Sequence, residues 1–321
     1  MSVIWGISAF AGPFFGALAA ETISWRWAFA LSALIGCAMA AASLAILRSQ
    51  AAAAQPGSEG RSHFPFEVLA CLAVSVILIA LAGFAIETAR SSALLITGLA
   101  GVAFVFWLDQ RKPRSRLFPS RPFDWSSPVG TGMTMVAAFS VATVSFGLYA
   151  PLILTNLHGM SLLMTGYIIS SEAIAWSVLS ILVANAPPER ERLIITTGAF
   201  MIAGGIAGFA YAVPHGTLPL ILACAILQGG GFGIAWPFVT RMIVAAAPAS
   251  ERTVASSAVP TMQRLGYAVG AAIAGIIANA AGFSRGLSPE TAASAAAWLF
   301  IAFLPLAAVG CVAGWRTAKG A

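Results

Sequence analysis

Long apolar segments alternate with short polar connections along the whole chain. A helix that crosses a bilayer needs about 20 mostly apolar residues, and about ten segments approach that length. They lie at roughly 1–20, 27–47, 66–86, 91–108, 128–153, 162–184, 192–213, 217–240, 255–281 and 291–314. The pattern predicts an all-α polytopic membrane protein with about ten transmembrane helices.

The composition supports a membrane protein and excludes two other classes. Of the 321 residues, 59% are hydrophobic and 9% are charged, whereas a soluble domain has about 25% charged residues. So little polar surface cannot cover a water-soluble globule. The net charge of +6 could indicate nucleic-acid binding, but the excess of cations in cytoplasmic loops of membrane proteins accounts for it without such a partner.

The cations also predict the orientation of the chain. Thirteen of the 17 Lys and Arg residues lie in connections after even-numbered segments, and three lie after odd-numbered ones. Because cytoplasmic loops are enriched in Lys and Arg, both termini are predicted to be cytoplasmic, in a multi-pass protein of the cell membrane. The densest group, between Asp109 and Asp124, has five of these cations and three prolines, and it is predicted to be a surface loop because such charge cannot lie in hydrocarbon.

The residues that carry enzyme or metal chemistry are scattered. Cys37, Cys71, Cys224 and Cys311 lie inside separate apolar segments, and the three histidines lie at segment ends. Neither the G-x4-G-K-[ST] nor the H-E-x-x-H pattern occurs in the sequence. We therefore expect no metal, no cofactor and no enzyme activity, and specifically no pump that hydrolyses ATP.

The first span has a glycine face and a bend. Gly12 and Gly16 lie four positions apart, so they share one helix face and allow another backbone to approach closely. Pro13 removes a helix hydrogen bond and bends the helix. These features suit a sliding contact between two bundles, and ordinary membrane packing is the alternative.

Two segments resemble the major facilitator superfamily, most closely its fourteen-span drug:proton antiporters. The first span resembles the family's antiporter motif, which lies in the family's fifth helix. The turn after this span resembles the family's turn into the sixth helix. The matching residues are Gly6, Gly12, Pro13, Gly16, Trp25, Arg26 and Trp27. Where the family usually has two consecutive glycines, this chain has Gly16-Ala17. The basic loop and residues 149–161 resemble the entry into the first helix of the C-terminal half.

The resemblance implies a division of the chain into five parts. These are the last two helices of an N-terminal bundle (1–47), a cytoplasmic loop (48–65), an accessory transmembrane hairpin (66–108), a basic cytoplasmic loop (109–127) and a six-helix C-terminal bundle (128–321). By this alignment the first four helices of the family are absent.

The function that the resemblance implies is secondary active transport. We expect proton-coupled efflux of amphipathic organic compounds by alternating access. The expected partners are the lipid bilayer, a small amphipathic substrate and protons, with a monomer as the working oligomeric state. Two alternatives remain open: a truncated, transport-incompetent fragment of such a carrier, and a native ten-span carrier of another family.

Glu172 and Arg264 are candidates for proton coupling. Glu172 lies ten residues into the sixth span, roughly 15 Å from either end at about 1.5 Å per residue. An acid at the bilayer centre costs roughly 2.5–3.5 kcal/mol, and desolvation favours its neutral form. Proton coupling is one interpretation, and a permanently protonated acid bonded to Ser170 or Ser171 is the other. Arg264 lies in the ninth span and is a possible partner of Glu172, or its side chain reaches the inner membrane surface.

Candidates for the transport pathway lie in two further spans. Gln228, Gly229, Gly230 and Gly231 lie in the eighth span, where glycines and Pro237 weaken the helix around a polar amide. Irregular backbone at that depth is tolerated where it lines a cavity or is buried in protein. We expect a flexible gate with Gln228 facing the pathway, and tight helix packing is the alternative. Asn156, near the end of the fifth span, is the remaining candidate.

Overall fold

A computed structural model describes residues 22–53, 65–84, 87–112, 115–283 and 289–319, with a few single positions before residue 22. Eleven α-helices and two short 3-10 helices lie in these ranges. The α-helices are α1 (Trp25–Ala53), α2 (Phe66–Phe84), α3 (Thr88–Gln110), α4 (Pro128–Ala142), α5 (Val144–His158), α6 (Leu162–Leu182), α7 (Glu191–His215), α8 (Leu218–Ala246), α9 (Arg252–Ala280), α10 (Pro289–Ile301) and α11 (Leu304–Lys319).

These helices confirm the predicted fold class, an all-α polytopic membrane protein. Eight stretches of the described residues are long and apolar enough to cross a bilayer, and they match the predicted second to eighth and tenth spans. The predicted ninth span is the helix α9, whose N-terminal half is rich in polar residues and which is not among those eight. Most of the predicted first span lies outside the described residues.

Local sequence signals begin and end the helices. The Ser127 hydroxyl accepts a bond from the Gly130 backbone N–H and Pro128 follows it, so α4 begins with a side-chain cap and a proline in its first turn. Ser161 caps α6 in the same way through the Met164 N–H. Gly159 has a φ of 62° and ends α5, because glycine adopts this left-handed conformation without a steric penalty.

Two of the predicted spans are each built from two consecutive helices. Thr143 separates α4 from α5 within the stretch Pro128–His158, and Ala302 and Phe303 separate α10 from α11. The Thr143 hydroxyl donates to the Phe139 carbonyl at 2.7 Å, so it bonds the preceding helical turn at the end of α4. The break at Thr143 lies near mid-span.

Helices α4 to α11 pack into one bundle around α8. Helix α8 packs against both α6 and α7, and α11 packs against α4 and α7. Aromatic rings fill the centre: Phe146 stacks on Phe209 with ring centroids 4.0 Å apart, and Trp176 stacks on Phe232 at 4.8 Å. Offset ring pairs of this kind add to the free energy gained from burial.

The hairpin of α2 and α3 packs against α9. A β-carbon added to Gly275 would lie 2.9 Å from the Gly83 oxygen, so the two backbones approach more closely than larger residues allow. The Asn279 amide donates to the same oxygen at 3.4 Å. Lys112 and Glu67 form an ion pair that joins the start of α2 to the end of α3. By contrast, the described side chains of α1 are exposed along its length, apart from half-buried Ala28.

The basic loop is folded onto the end of α3. The Asp109 carboxylate is buried and accepts bonds from the backbone N–H groups of Leu117, at 2.6 Å, and Phe118, at 3.1 Å. The Phe118 ring is fully buried and lies 4.7 Å from the Phe106 ring, measured between centroids. The loop is therefore ordered by a buried carboxylate and a buried ring, although its composition predicts only an exposed cationic segment.

Candidate functional site

Glu172 lies at the middle of the α6 span Leu162–Leu182 and its side chain is half-buried. It lines an open cavity of about 510 Å³ whose walls come from α5, α6 and α9 together with the break at Thr143. The other lining residues are Thr143, Val144, Gly147, Leu148, Tyr267, Ala268 and Ala271. The cavity is apolar apart from one carboxyl and two hydroxyl groups.

Gln228 is the hydrogen-bond partner of Glu172. Its Nε2 donates to Glu172 Oε1 at 2.9 Å, across the contact between α8 and α6. The Gln228 side chain is 0% exposed, whereas Glu172 keeps an open side toward the cavity. The hydroxyl of Ser171 donates instead to the carbonyl of Ile168 in its own helix.

Glycines bring the backbones of α6, α7 and α8 together at this pair. A β-carbon added to Gly229 would collide with the backbone oxygen of Glu172. On the opposite side of α8, a β-carbon on Gly205 would lie 2.7 Å from the β-carbon of Gln228. Glycine at both positions therefore allows Gln228 to lie between α7 and Glu172 with no space for solvent around its side chain.

The glycines after Gln228 are helical and buried. Gly229, Gly230 and Gly231 lie within the continuous helix α8. A β-carbon on Gly231 would lie 2.7 Å from the Gly198 oxygen on α7. These contacts describe one conformation, in which the segment is tightly packed, and the gate role of this segment stays a prediction.

Arg264 and Glu172 are not in direct contact. Among the ion pairs formed by the described residues, none joins these two side chains. Tyr267, three positions after Arg264, lines the same cavity as Glu172, and its hydroxyl accepts a bond from Gln263 Nε2 at 2.9 Å. Arg264 is exposed and lines a separate cavity of about 380 Å³ between α9 and α2. The proposed coupling of Arg264 to Glu172 stays a prediction.

Of the remaining predicted residues, those that the structure describes do not line this cavity. Gly12 and Gly16 line an open groove of about 400 Å³ against α1, and an added β-carbon at either would meet no atom within 4 Å. Gly6 and Pro13 lie outside the described residues. Asn156 is exposed, and its amide donates to the Leu152 carbonyl of its own helix at 2.8 Å.

Two cavity residues were missed by the sequence analysis. Thr143 breaks a helix without a glycine or a proline at that position, so composition provides no signal for it. Tyr267 was detectable in principle, because it is one of four tyrosines in the chain and lies three positions after Arg264.

The sequence also contains one Gly-x-Ser-x-Gly pattern, which starts at Gly282. Gly282 lies two residues after the end of α9 and does not follow a strand. The nucleophile elbow of hydrolases needs a strand, a sharp turn and a helix. Ser284 lies outside the described residues, and the pattern lacks the preceding strand, so it carries no prediction of catalysis.

Comparison with known proteins relates the whole chain to two other proteins. No protein-family model matches the sequence. The chain is 27% identical over 332 aligned positions to proteins named "probable multidrug-efflux transporter" in two strains of Mycobacterium tuberculosis. The alignment covers 98% of this chain and 67% of each of those proteins. The similarity therefore extends over the accessory hairpin, the basic loop and the bundle that contains Glu172.

Proposed function

We propose that the chain is a secondary transporter that exports small amphipathic organic compounds in exchange for protons. Similarity along 98% of the chain to proteins named as multidrug-efflux transporters supports the transport class. The arrangement of apolar helices around an open cavity is consistent with a carrier. Membership of the major facilitator superfamily, a location in the cell membrane and cytoplasmic termini belong to the same proposal, and they rest on the sequence motifs and the distribution of cations.

The observation that carries proton coupling is the position of Glu172. A carboxyl at mid-span can gain and lose a proton only where it has access to water, and Glu172 borders an open cavity. Its neutral form is favoured by the apolar surroundings. A substrate that enters the cavity would meet the same carboxyl, so substrate and proton would alternate at one place. That alternation is the chemical basis of exchange.

The proposed mechanism is alternating access. In carriers of this kind the cavity near the midplane opens to one side of the membrane at a time. The break at Thr143 contributes to the wall of the cavity and is the place where α4 and α5 can change their relative direction. The glycine face of the first span is proposed to lie at the contact between the moving bundles.

Dye efflux from cells tests the proposal. Cells that express the chain are loaded with a lipophilic fluorescent dye, and efflux is recorded with and without a protonophore. We expect efflux that the protonophore abolishes, and we expect Glu172→Gln to reduce it to the level of cells without the protein. Glu189→Gln, which removes an exposed acid in the loop before α7, is the matched control and should export normally.

Two results would contradict the proposal. Efflux by Glu172→Gln that is as sensitive to the protonophore as that of the unaltered chain would remove Glu172 from the coupling mechanism. A chain that is inserted in the membrane and exports nothing would favour the transport-incompetent alternative.

A further inference from the structure

The amide of Gln228 has one end paired and the other unpaired. Its Nε2 donates to Glu172, whereas its Oε1 has no hydrogen-bond partner among the described residues and is inaccessible to solvent. An unpaired buried polar group destabilises a folded protein. Such groups are rare in folded proteins and call for a physical explanation.

The protonation state of Glu172 decides whether this amide can be satisfied. An ionised carboxylate only accepts hydrogen bonds, so it can pair with Nε2 but not with Oε1. A protonated carboxyl also has an O–H donor. It can then accept from the Gln228 N–H and donate to the Gln228 oxygen at the same time, which gives two parallel hydrogen bonds between the two planar groups.

The need for the acid proton is the same in both orientations of the Gln228 amide. Were the oxygen and nitrogen of Gln228 exchanged, the oxygen would face Glu172 and would need the acid proton directly. In both orientations the ionised carboxylate leaves one polar atom of a side chain that is 0% exposed without a partner. Only the neutral acid satisfies both ends of the amide.

We infer that Gln228 is the positioning residue that holds protonated Glu172 against α8 through a reciprocal carboxyl–amide pair. Loss of the proton to water in the cavity breaks the O–H···O bond, and the carboxylate turns toward the cavity. This inference deepens the proposed function and rests on it for its role in transport. The pair would keep the α6–α8 contact closed until the proton leaves.

The groups around Glu172 are compatible with this exchange of partners. On α9, Tyr267 has a hydroxyl on the cavity wall, and the exposed Arg264 lines a separate cavity against α2. From the α4–α5 side, the cavity residues are uncharged and Thr143 contributes a hydroxyl. The Tyr267 hydroxyl accepts from Gln263 and can donate its own hydrogen to an ionised carboxylate, which Gln228 Oε1 cannot do, whereas the Thr143 hydroxyl already donates to the Phe139 carbonyl.

Infrared spectroscopy of the purified full chain in lipid nanodiscs tests the pair. The carbonyl stretch of a protonated carboxylic acid moves to lower frequency when the group forms hydrogen bonds. The band of Glu172 is assigned as the one that Glu172→Gln removes. We expect Gln228→Met to shift this band to higher frequency at low pH, because both bonds are lost. Gln263→Met, which removes an amide bonded to Tyr267 instead, should leave the band in place.

An unshifted band in Gln228→Met would overturn the inference. Where that variant does not accumulate in the membrane, the exchanged double variant Glu172→Gln with Gln228→Glu decides. The double variant places the amide on α6 and the carboxyl on α8, so the same two groups can pair. Its acid band should therefore lie at the frequency of the unaltered chain. A band at the frequency of an unbonded acid would contradict the pair.

The two proposals fail in different ways. Normal proton-coupled efflux by Glu172→Gln, together with a band that Gln228→Met shifts, would remove Glu172 from the coupling mechanism and leave the carboxyl–amide pair intact. Loss of efflux in Glu172→Gln, together with an unshifted band, would support proton coupling and remove Gln228 from it.

Discussion

Arg116 and Glu251 form a largely buried ion pair that joins the basic loop to the turn between α8 and α9. Arg116 Nη1 lies 3.1 Å from Glu251 Oε1, and both side chains are 19% exposed. The second carboxylate oxygen accepts bonds from the N–H of Ser120 at 2.8 Å and from its hydroxyl at 2.9 Å. Arg116 also donates to the Gln110 carbonyl at 3.2 Å. The loop is thus bonded both to α3 and to the bundle.

We predict that Arg116→Met destabilises the protein by about 1–3 kcal/mol, because it leaves a largely buried carboxylate without its cation. Thermal unfolding of the purified protein in detergent measures the effect. Arg121→Met is the matched control in the same loop. The Arg121 side chain is 84% exposed, and its Nη1 lies 3.9 Å from Asp124 Oδ2. Exposed ion pairs of this kind contribute about 0–1 kcal/mol to the free energy of unfolding. Equal losses of thermal stability in the two variants would show that the Arg116–Glu251 pair does not stabilise the protein more than an exposed pair does.

Gly229→Ala should separate α6 from α8 at the site. The added methyl group would collide with the backbone oxygen of Glu172, and overpacking of this kind costs about 1–3 kcal/mol. We expect a lower thermal stability and reduced dye efflux. Gly204→Ala on α7 is the control, because its added carbon would lie 3.3 Å from the end of the Leu227 side chain, which can move. Stability within about 1 kcal/mol of the unaltered chain is expected there. An equally stable Gly229→Ala would show that the backbones of α6 and α8 do not need this close contact.

The two histidines at helix ends should differ in their contribution to stability. His158 Nε2 lies 2.7 Å from the Val213 oxygen, so it joins α5 to α7, and its ring packs on Gly216. His215 Nδ1 lies 2.7 Å from the Tyr211 oxygen of its own helix, and its side chain is exposed. We predict that His158→Ala costs about 1–2 kcal/mol through the lost bond and contacts, whereas His215→Ala changes stability by about 0.5 kcal/mol or less. Thermal unfolding of both variants under one condition makes the comparison, and a reversed order would contradict it.

Hydropathy was sufficient to locate most of the membrane-spanning segments that the structure describes. Residues that face lipid must be apolar over a whole span, so the predicted segment 162–184 corresponds to α6, Leu162–Leu182. The position of Glu172 near the middle of its span also identified it as unusual, because a charge in the centre of the bilayer is costly. The break at Thr143 could not be predicted in this way, because no glycine or proline lies at that position and both sides of it are apolar.

The contacts between helices could not be predicted from one sequence. Gln228 and Glu172 are 56 positions apart, and Arg116 and Glu251 are 135 apart. Each pair depends on which helix faces lie together, and hydropathy does not determine this. The sequence therefore indicated Gln228 and Glu172 as separate candidates, with Arg264 as the suggested partner of the acid, whereas the structure places Gln228 beside Glu172.

Proton movement driven by substrate is the most direct test of the central claim. The purified chain is reconstituted into liposomes that contain a pH-sensitive dye, and a lipophilic substrate is added on one side without a proton gradient. The account predicts that protons move opposite to the substrate, and that Glu172→Gln abolishes this proton movement while Glu189→Gln retains it. Equal proton movement in the unaltered chain and in Glu172→Gln would contradict the account.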